Sequence, residues 1–238
     1  QYPVIFLSLK DIKAQDWETA YELLKMIISS EYARHPELQA GNEISQQDKG
    51  FYEKIVNKNA NKADYMLSLQ ILSRMLYQHY KKAPVIIIDE YDTPIQEGFV
   101  NNYYNEAIRF IRNFFSAALK DNPYITMSIM TGILRVAKES IFSGLNNIRV
   151  DSVLDDTFSG YFGFTEGEVR TITQYYNVTE KLAEIKSWYD GYRFGSTEIY
   201  NPWSVINYIT SSCKAIPYWS QTSENTIIHE ILKKYNEA

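Results

Sequence analysis

Residues 84–92 read Pro-Val-Ile-Ile-Ile-Asp-Glu-Tyr-Asp, so the four β-branched residues Val85 to Ile88 run directly into two adjacent carboxylates, Asp89 and Glu90. A continuous run of this kind is expected to be a strand buried on both faces, the habit of parallel sheets in α/β proteins. Such sheets bind ligands just beyond the carboxyl ends of their strands, where Asp89 and Glu90 fall. The pattern is that of a Walker B strand. In that reading Asp89 holds Mg²⁺, directly or through water, and Glu90 polarises the water that attacks a nucleoside triphosphate. A buried strand followed by a solvated acidic turn gives the same letters. Asp92 adds a third carboxylate. It either supports the metal from behind or caps the turn at Thr93-Pro94, and capping is the favoured reading.

A second segment, Ile129-Met130-Thr131-Gly132-Ile133-Leu134-Arg135, sets a hydroxyl at a strand end and a cation a few residues on. Neighbouring strands of nucleotide-binding sheets often deliver such a polar sensor to the γ-phosphate. An arginine there would stabilise charge developing on the transferred phosphoryl group. A turn threonine followed by a solvated arginine is the plain alternative. No Gly-x-x-x-x-Gly-Lys-Ser/Thr occurs, and none of the ten glycines forms a phosphate-cradling loop. That loop's backbone N–H groups and lysine normally hold the phosphates. Trp188 to Gly195 is dense in aromatics and glycine. It reads as a packed helix-to-hairpin corner, or less readily as a place where Arg193 faces a ligand.

These residues need elements to carry them. Val4–Leu9 is expected to be a strand. Asp16 would cap a helix to about Tyr32, with Trp17, Ala20, Tyr21, Leu24, Ile27 and Ile28 at helical spacing. Residues 34–43 read as a loop. Ser45 and Asp48 resemble a capping box for a helix to about Val56. A further helix is expected over Ala63–Tyr80, its buried stripe being Leu67, Ile71, Leu72, Met75 and Leu76. Another spans Asn105–Lys120 and stops at Asp121-Asn122-Pro123. Tyr124–Met130 is the third strand, Ala137–Phe142 a short helix, and Ile148–Leu154 a fourth strand. Strands separated by helices imply right-handed crossovers and a parallel sheet. After a boundary near 156–164 the character changes. Thr165 and Glu168 box a helix to Tyr176, and a second helix over Thr179–Tyr189 ends with Gly191 in a left-handed position. Tyr192–Tyr200 is a hairpin turning at Gly195-Ser196, and Asn201-Pro202 opens another helix.

Composition narrows the partners. Net charge is −5, which argues against non-specific nucleic-acid binding by this portion. The twenty tyrosines are spread along the chain and read as packing. Cys213 is the single cysteine, and His35, His79 and His229 are scattered, so neither an internal disulfide nor a zinc site is expected. No apolar run approaches the ~18 residues that span a bilayer, and a reducing cytoplasm is the default. The chain opens at Gln1, inside a strand-like run, as expected of a piece of something longer.

Five segments together carry a resemblance: Val85–Ile95, Met130–Asn146, Tyr161–Thr165, Trp188–Gly195 and Tyr200–Ser204. In this order they resemble the bacterial AAA-ATPase-like family, over essentially the whole chain. Members typically join an N-terminal P-loop ATPase module to a C-terminal restriction-endonuclease-like domain. The resemblance implies that Asp89 is the Mg²⁺ ligand and Glu90 the water-activating residue, and that Thr131 and Arg135 lie in the sensor segment. It implies a Walker A motif upstream of Gln1 and a nuclease domain beyond Ala238.

The expected fold is therefore α/β. A P-loop-type core, lacking strand 1 and the P-loop, occupies residues 1–158, and a mainly helical appendage with a small hairpin occupies 159–238. In the usual order 5-1-4-3-2, Val4–Leu9, Val85–Asp89 and Tyr124–Met130 are strands 2, 3 and 4, and 148–154 is strand 5. Strand 4 should then show an open edge where strand 1 belongs. The intact protein is expected to be a Mg²⁺-dependent ATPase that acts on ATP and whose nucleotide state controls an attached nuclease or partner. Nucleic acid would be met through the nuclease, with no membrane involved. The fragment alone is expected to be inactive. The alternative is a non-enzymatic regulatory or interaction module with a vestigial acidic strand end.

Overall fold

Val85–Asp89 forms a strand (β2) between two others, β1 (Val4–Ser8) and β3 (Met127–Met130), in a parallel sheet of order β1-β2-β3. In the computed structural model, which describes residues 2–133 and 148–219, about half the chain is helical. Register aligns Val4, Val85 and Met127, then Phe6, Ile87 and Ile129. Side chains at one register position share a face.

The helices of this unit are α1 (Trp17–Ala33), α2 (Glu37–Ala40), α3 (Gln46–Val56), α4 (Lys62–Tyr80), α5 (Thr93–Val100) and α6 (Tyr104–Leu119). Ile5, Leu7, Ile86 and Ile88 are buried in a core with Leu24 and Ile28 of α1, Leu72 and Met75 of α4, and Phe110, Phe114 and Phe115 of α6. Each fully buried side chain of this size contributes about 2 kcal/mol. The caps follow the letters. Asp16 accepts from the Thr19 N–H, Ser45 from the Asp48 N–H, and Asn61 with Asp64 closes a reciprocal box. Tyrosine hydroxyls in the core reach backbone carbonyls, Tyr32 that of Ser68 and Tyr103 that of Ala14. Burial pushes the Tyr103 hydroxyl up to about 12.

The opposite face of the sheet differs from the expectation of a strand buried on both sides. Val4, Phe6, Val85, Ile87, Met127 and Ile129 point that way, and none joins the core. Phe6, Met127 and Ile129 are 43, 52 and 44% exposed. The two outer strands also differ. The Phe6 N–H, on the outer edge of β1, donates to the buried Glu31 carboxylate at 2.9 Å. Arg34 pairs with the other oxygen of that carboxylate at 2.7 Å. On β3, no described residue pairs with the outer edge.

Other differences are local. Helix α2 interrupts the loop expected over 34–43, and α5 follows Asp92 where only a turn was expected. In α4 the stripe turns toward Tyr65, Ser68, Leu69, Leu72, Met75 and Leu76, leaving Leu67 exposed, because α4 packs on α6 along that line. The expected helix over 137–142 lies outside the described residues.

The contacts divide the chain into two compact units, residues 1–147 and 148–238. The second holds α7 (Glu166–Tyr175), α8 (Leu182–Tyr189), β4 (Asp190–Phe194), β5 (Thr197–Tyr200) and α9 (Pro202–Thr210). Its core joins Val169, Ile185, Tyr189, Tyr200, Val205 and Tyr208. The strand expected at 148–154 is not formed. Local polar groups capture that backbone: Asp155 accepts from both the Ser152 N–H and hydroxyl, and the Val153 carbonyl accepts from Gly195. The Trp188–Gly195 segment is the helix-to-hairpin corner. Gly195, at φ +51°, makes its turn against Asp155 and Asp156. Gly191 is not left-handed, because the chain passes straight from α8 into β4. Among the described residues, no helix is long and apolar enough to cross a membrane.

Candidate active site

Three oxygen-bearing side chains line up across the carboxyl ends of the parallel strands. Ser8 ends β1 opposite Asp89, which ends β2, and Thr131 follows β3 with its N–H on the Ile88 carbonyl. The Thr131 hydroxyl donates to Asp89 Oδ1 at 2.5 Å, and the Ser8 hydroxyl approaches Asp89 Oδ2 at 3.4 Å. The row lies at the end of the uncovered face. Sequence reading brought Asp89 and Thr131 together but missed Ser8. The signal for Ser8 was the single hydroxyl interrupting the apolar run Val4–Leu9, legible only once register is known.

Glu90 comes next. Its backbone is left-handed, φ +52°, a conformation that costs a non-glycine residue about 1–2 kcal/mol. Its N–H approaches Thr131 Oγ1 at 3.4 Å, and its carboxylate accepts from the Thr93 hydroxyl at 3.2 Å. The twist turns the chain away from the sheet while keeping the carboxylate beside the strand end. Such strain recurs at functional sites.

Asp92 precedes α5 but its side chain makes no capping hydrogen bond, which corrects the favoured reading. It is 1% exposed and accepts instead from the Ile133 N–H at 3.1 Å and from Gln96 at 2.6 Å. Arg135 lies outside the described residues.

The donor set can be tested against a metal. Among the described residues, no cluster of three or more His, Cys, Asp or Glu side chains is arranged to hold one. A site with one carboxylate and two hydroxyls suits Mg²⁺, which keeps most of its waters and uses one or two carboxylates plus substrate phosphates. Asp89, with Ser8 and Thr131 beside it, fits that requirement.

Comparisons with known proteins bear on the same residues. No solved structure matches the chain. A relative from Azotobacter chroococcum mcd 1, described as an uncharacterized protein in the vnfD 5′ region, is 29% identical over 149 residues, covering 62% of this chain. The match spans only 28% of that relative's length. A family model described as predicted AAA-ATPase matches residues 1–142, which include β1, β2, β3 and the whole row. The chain belongs to this AAA-ATPase-like family.

Proposed function

We propose that the intact protein is a Mg²⁺-dependent ATPase, that the sheet is the P-loop type, and that the row at the strand ends is its catalytic edge. The observation that carries this reading is the Ser8–Asp89–Thr131 alignment with Glu90 immediately after it. Asp89 would hold Mg²⁺, with the Ser8 and Thr131 hydroxyls orienting its carboxylate. Bound Mg²⁺ would neutralise charge on the phosphates. Glu90 accepts a proton-bearing partner now, the Thr93 hydroxyl. Exchanging that partner for a water would let the same carboxylate orient a nucleophile. Thr131, the outermost of the row, would sense the γ-phosphate. Membership of the AAA-ATPase-like family supports the class of reaction. Control of an attached nuclease or partner, and action in a reducing cytoplasm, belong to the same reading.

The test uses the intact protein. Glu90→Gln is expected to retain ATP binding and lower hydrolysis by on the order of 10²-fold, because shape is kept while a water-orienting carboxylate is lost. Asp89→Asn is expected to weaken Mg²⁺-dependent binding instead. Wild-type hydrolysis by both variants would overturn the reading and favour a non-enzymatic module.

A further inference from the structure

The exits of β2 and β3 are fastened to each other residue by residue. The Thr131 N–H donates to the Ile88 carbonyl at 2.9 Å, and the Thr131 carbonyl accepts from the Tyr91 N–H at 3.0 Å. The Thr131 hydroxyl lies between Asp89 Oδ1 and the Glu90 N–H. One residue on, a Cβ built on Gly132 would stand 2.6 Å from the Tyr91 ring and 2.7 Å from Asp92 Oδ1, so that ring and carboxylate fill the space a side chain would need. One residue further, the Ile133 N–H donates to Asp92 Oδ2. The Ile133 side chain itself is 83% exposed. Its backbone is therefore held by Asp92 and not by packing of its side chain.

Asp92 is the most buried of the three carboxylates at this strand end, and it accepts from the segment leaving β3. A buried carboxylate is costly unless hydrogen bonds compensate it. Here the bonds from Ile133 and Gln96 both fall on Oδ2. Gln96 lies one turn into α5, so the same oxygen ties α5 to the β3 exit. Capping, the ordinary use of an aspartate before a helix, is not what this side chain does.

We propose that Asp92 is a positioning residue that fixes the Thr131–Gly132–Ile133 turn and so delivers the Thr131 hydroxyl to Asp89. The proposal rests on the ATPase reading for its kinetic consequence and on the geometry alone for its structural one. It acts through Thr131: releasing Ile133 frees the turn, and the hydroxyl loses its fixed place in the row. A misplacement of about 1 Å can cost on the order of 10²-fold in rate.

The intact protein tests this with a set of variants. Asp92→Ala is expected to speed amide exchange at Ile133 and lower kcat by roughly tenfold or more, with KM for ATP changed less than about threefold. Asp92→Asn keeps an acceptor oxygen for Ile133 and Gln96 and should restore most of the rate. In a Thr131→Ala background, Asp92→Ala should cause little further loss, since both act through one hydroxyl. Should Asp92→Ala fail to fold, Ile133→Pro removes the donor from the other side of the same bond and is expected to show the same fall in kcat. Three outcomes would each overturn the proposal: additive losses from Asp92→Ala and Thr131→Ala, wild-type kcat in Ile133→Pro, or no rescue by asparagine. If Asp89→Asn and Thr131→Ala leave hydrolysis unchanged, it is the ATPase reading that fails. Faster Ile133 exchange in Asp92→Ala would then still report the clamp.

Discussion

Gly132 and Glu90 show how much of the site's shape is set by single backbone positions. At Gly132, any side chain would collide with the Tyr91 ring and Asp92. Gly132→Ala is therefore expected to destabilise the fold by about 1–3 kcal/mol through forced shifts, read as a lower midpoint in urea unfolding. Gly50 supplies the contrast. It lies inside α3 with open space where a Cβ would go. Gly50→Ala should stabilise by roughly 0.5–1 kcal/mol, the gain of alanine over glycine in a helix interior. If the two substitutions shift stability in the same direction, the close approach at Gly132 is misjudged. Glu90 carries strain rather than crowding. A residue chosen only for stability in that left-handed position would be glycine or asparagine, so a carboxylate there is consistent with selection for chemistry.

At the scale of elements, local signals were legible and long-range ones were not. Asp16, Ser45, Thr165 and Asn201 each cap the helix that follows, as read, because a cap is decided by a few neighbouring residues, while the cap at Asn61 was not read. The run Val85–Ile88 announced a strand, and Val85–Asp89 forms the middle one of the parallel sheet. The segment 148–154 is apolar enough for a strand, yet Ser152 and Asp155 bond locally and the hairpin turn takes the Val153 carbonyl. A sequence window cannot reveal that distant competitor. Neither Ser8 nor the Glu31 carboxylate on β1 was found, since both depend on which strands are neighbours. Glu31→Ala would leave the Phe6 N–H without its buried acceptor, at a cost of about 1–3 kcal/mol. Urea unfolding checks it, and a change below about 0.5 kcal/mol, the range of ordinary surface substitutions, would count against a structural role for that bond.

The hairpin of the second unit gives a pH-dependent prediction at the same scale. Asp156 accepts from both the N–H and the hydroxyl of Ser196 at the turn. Those bonds favour the charged form and hold its carboxyl below the ordinary aspartate range. A lowered value means that docking of the turn contributes stability above about pH 3.9, the unfolded aspartate value, and loses it as pH falls through the lowered one. Chemical shifts of Ser196 and Gly195 should titrate with that lowered midpoint. They should lose the transition in Asp156→Asn, and a midpoint at or above the ordinary value would contradict the contact.

For the molecule as a whole, the sheet is finished on one side only. Glu31 takes the outward Phe6 N–H on the β1 edge, whereas no described residue pairs with the β3 edge, and Phe6, Met127 and Ile129 on the other face of the sheet are exposed. Parallel sheets normally carry helices on both faces, and an open apolar edge invites strand addition. On the ATPase reading, the occupant would be a strand of the intact protein followed by a phosphate loop and helix, the strand pairing with β3 and the helix lying on the bare face. Two measurements follow. The 238-residue chain, whose sequence has no phosphate loop, should bind Mg-ATP weakly or not at all by titration calorimetry. Low-micromolar binding would mean that the phosphates sit elsewhere. In a parallel ladder the outward N–H groups alternate with those facing β2. Since the Thr131 N–H bonds inward to the Ile88 carbonyl, the amides of Ser128 and Met130 face out. These two amides should exchange rapidly in the 238-residue chain and be protected in the intact protein. Ile129→Lys should likewise cost little in the former, within about 0.5 kcal/mol for an exposed site, and several-fold more in the latter. Equal exchange and equal cost in both would leave the open edge as a true surface of the protein, and the P-loop architecture would have to be abandoned.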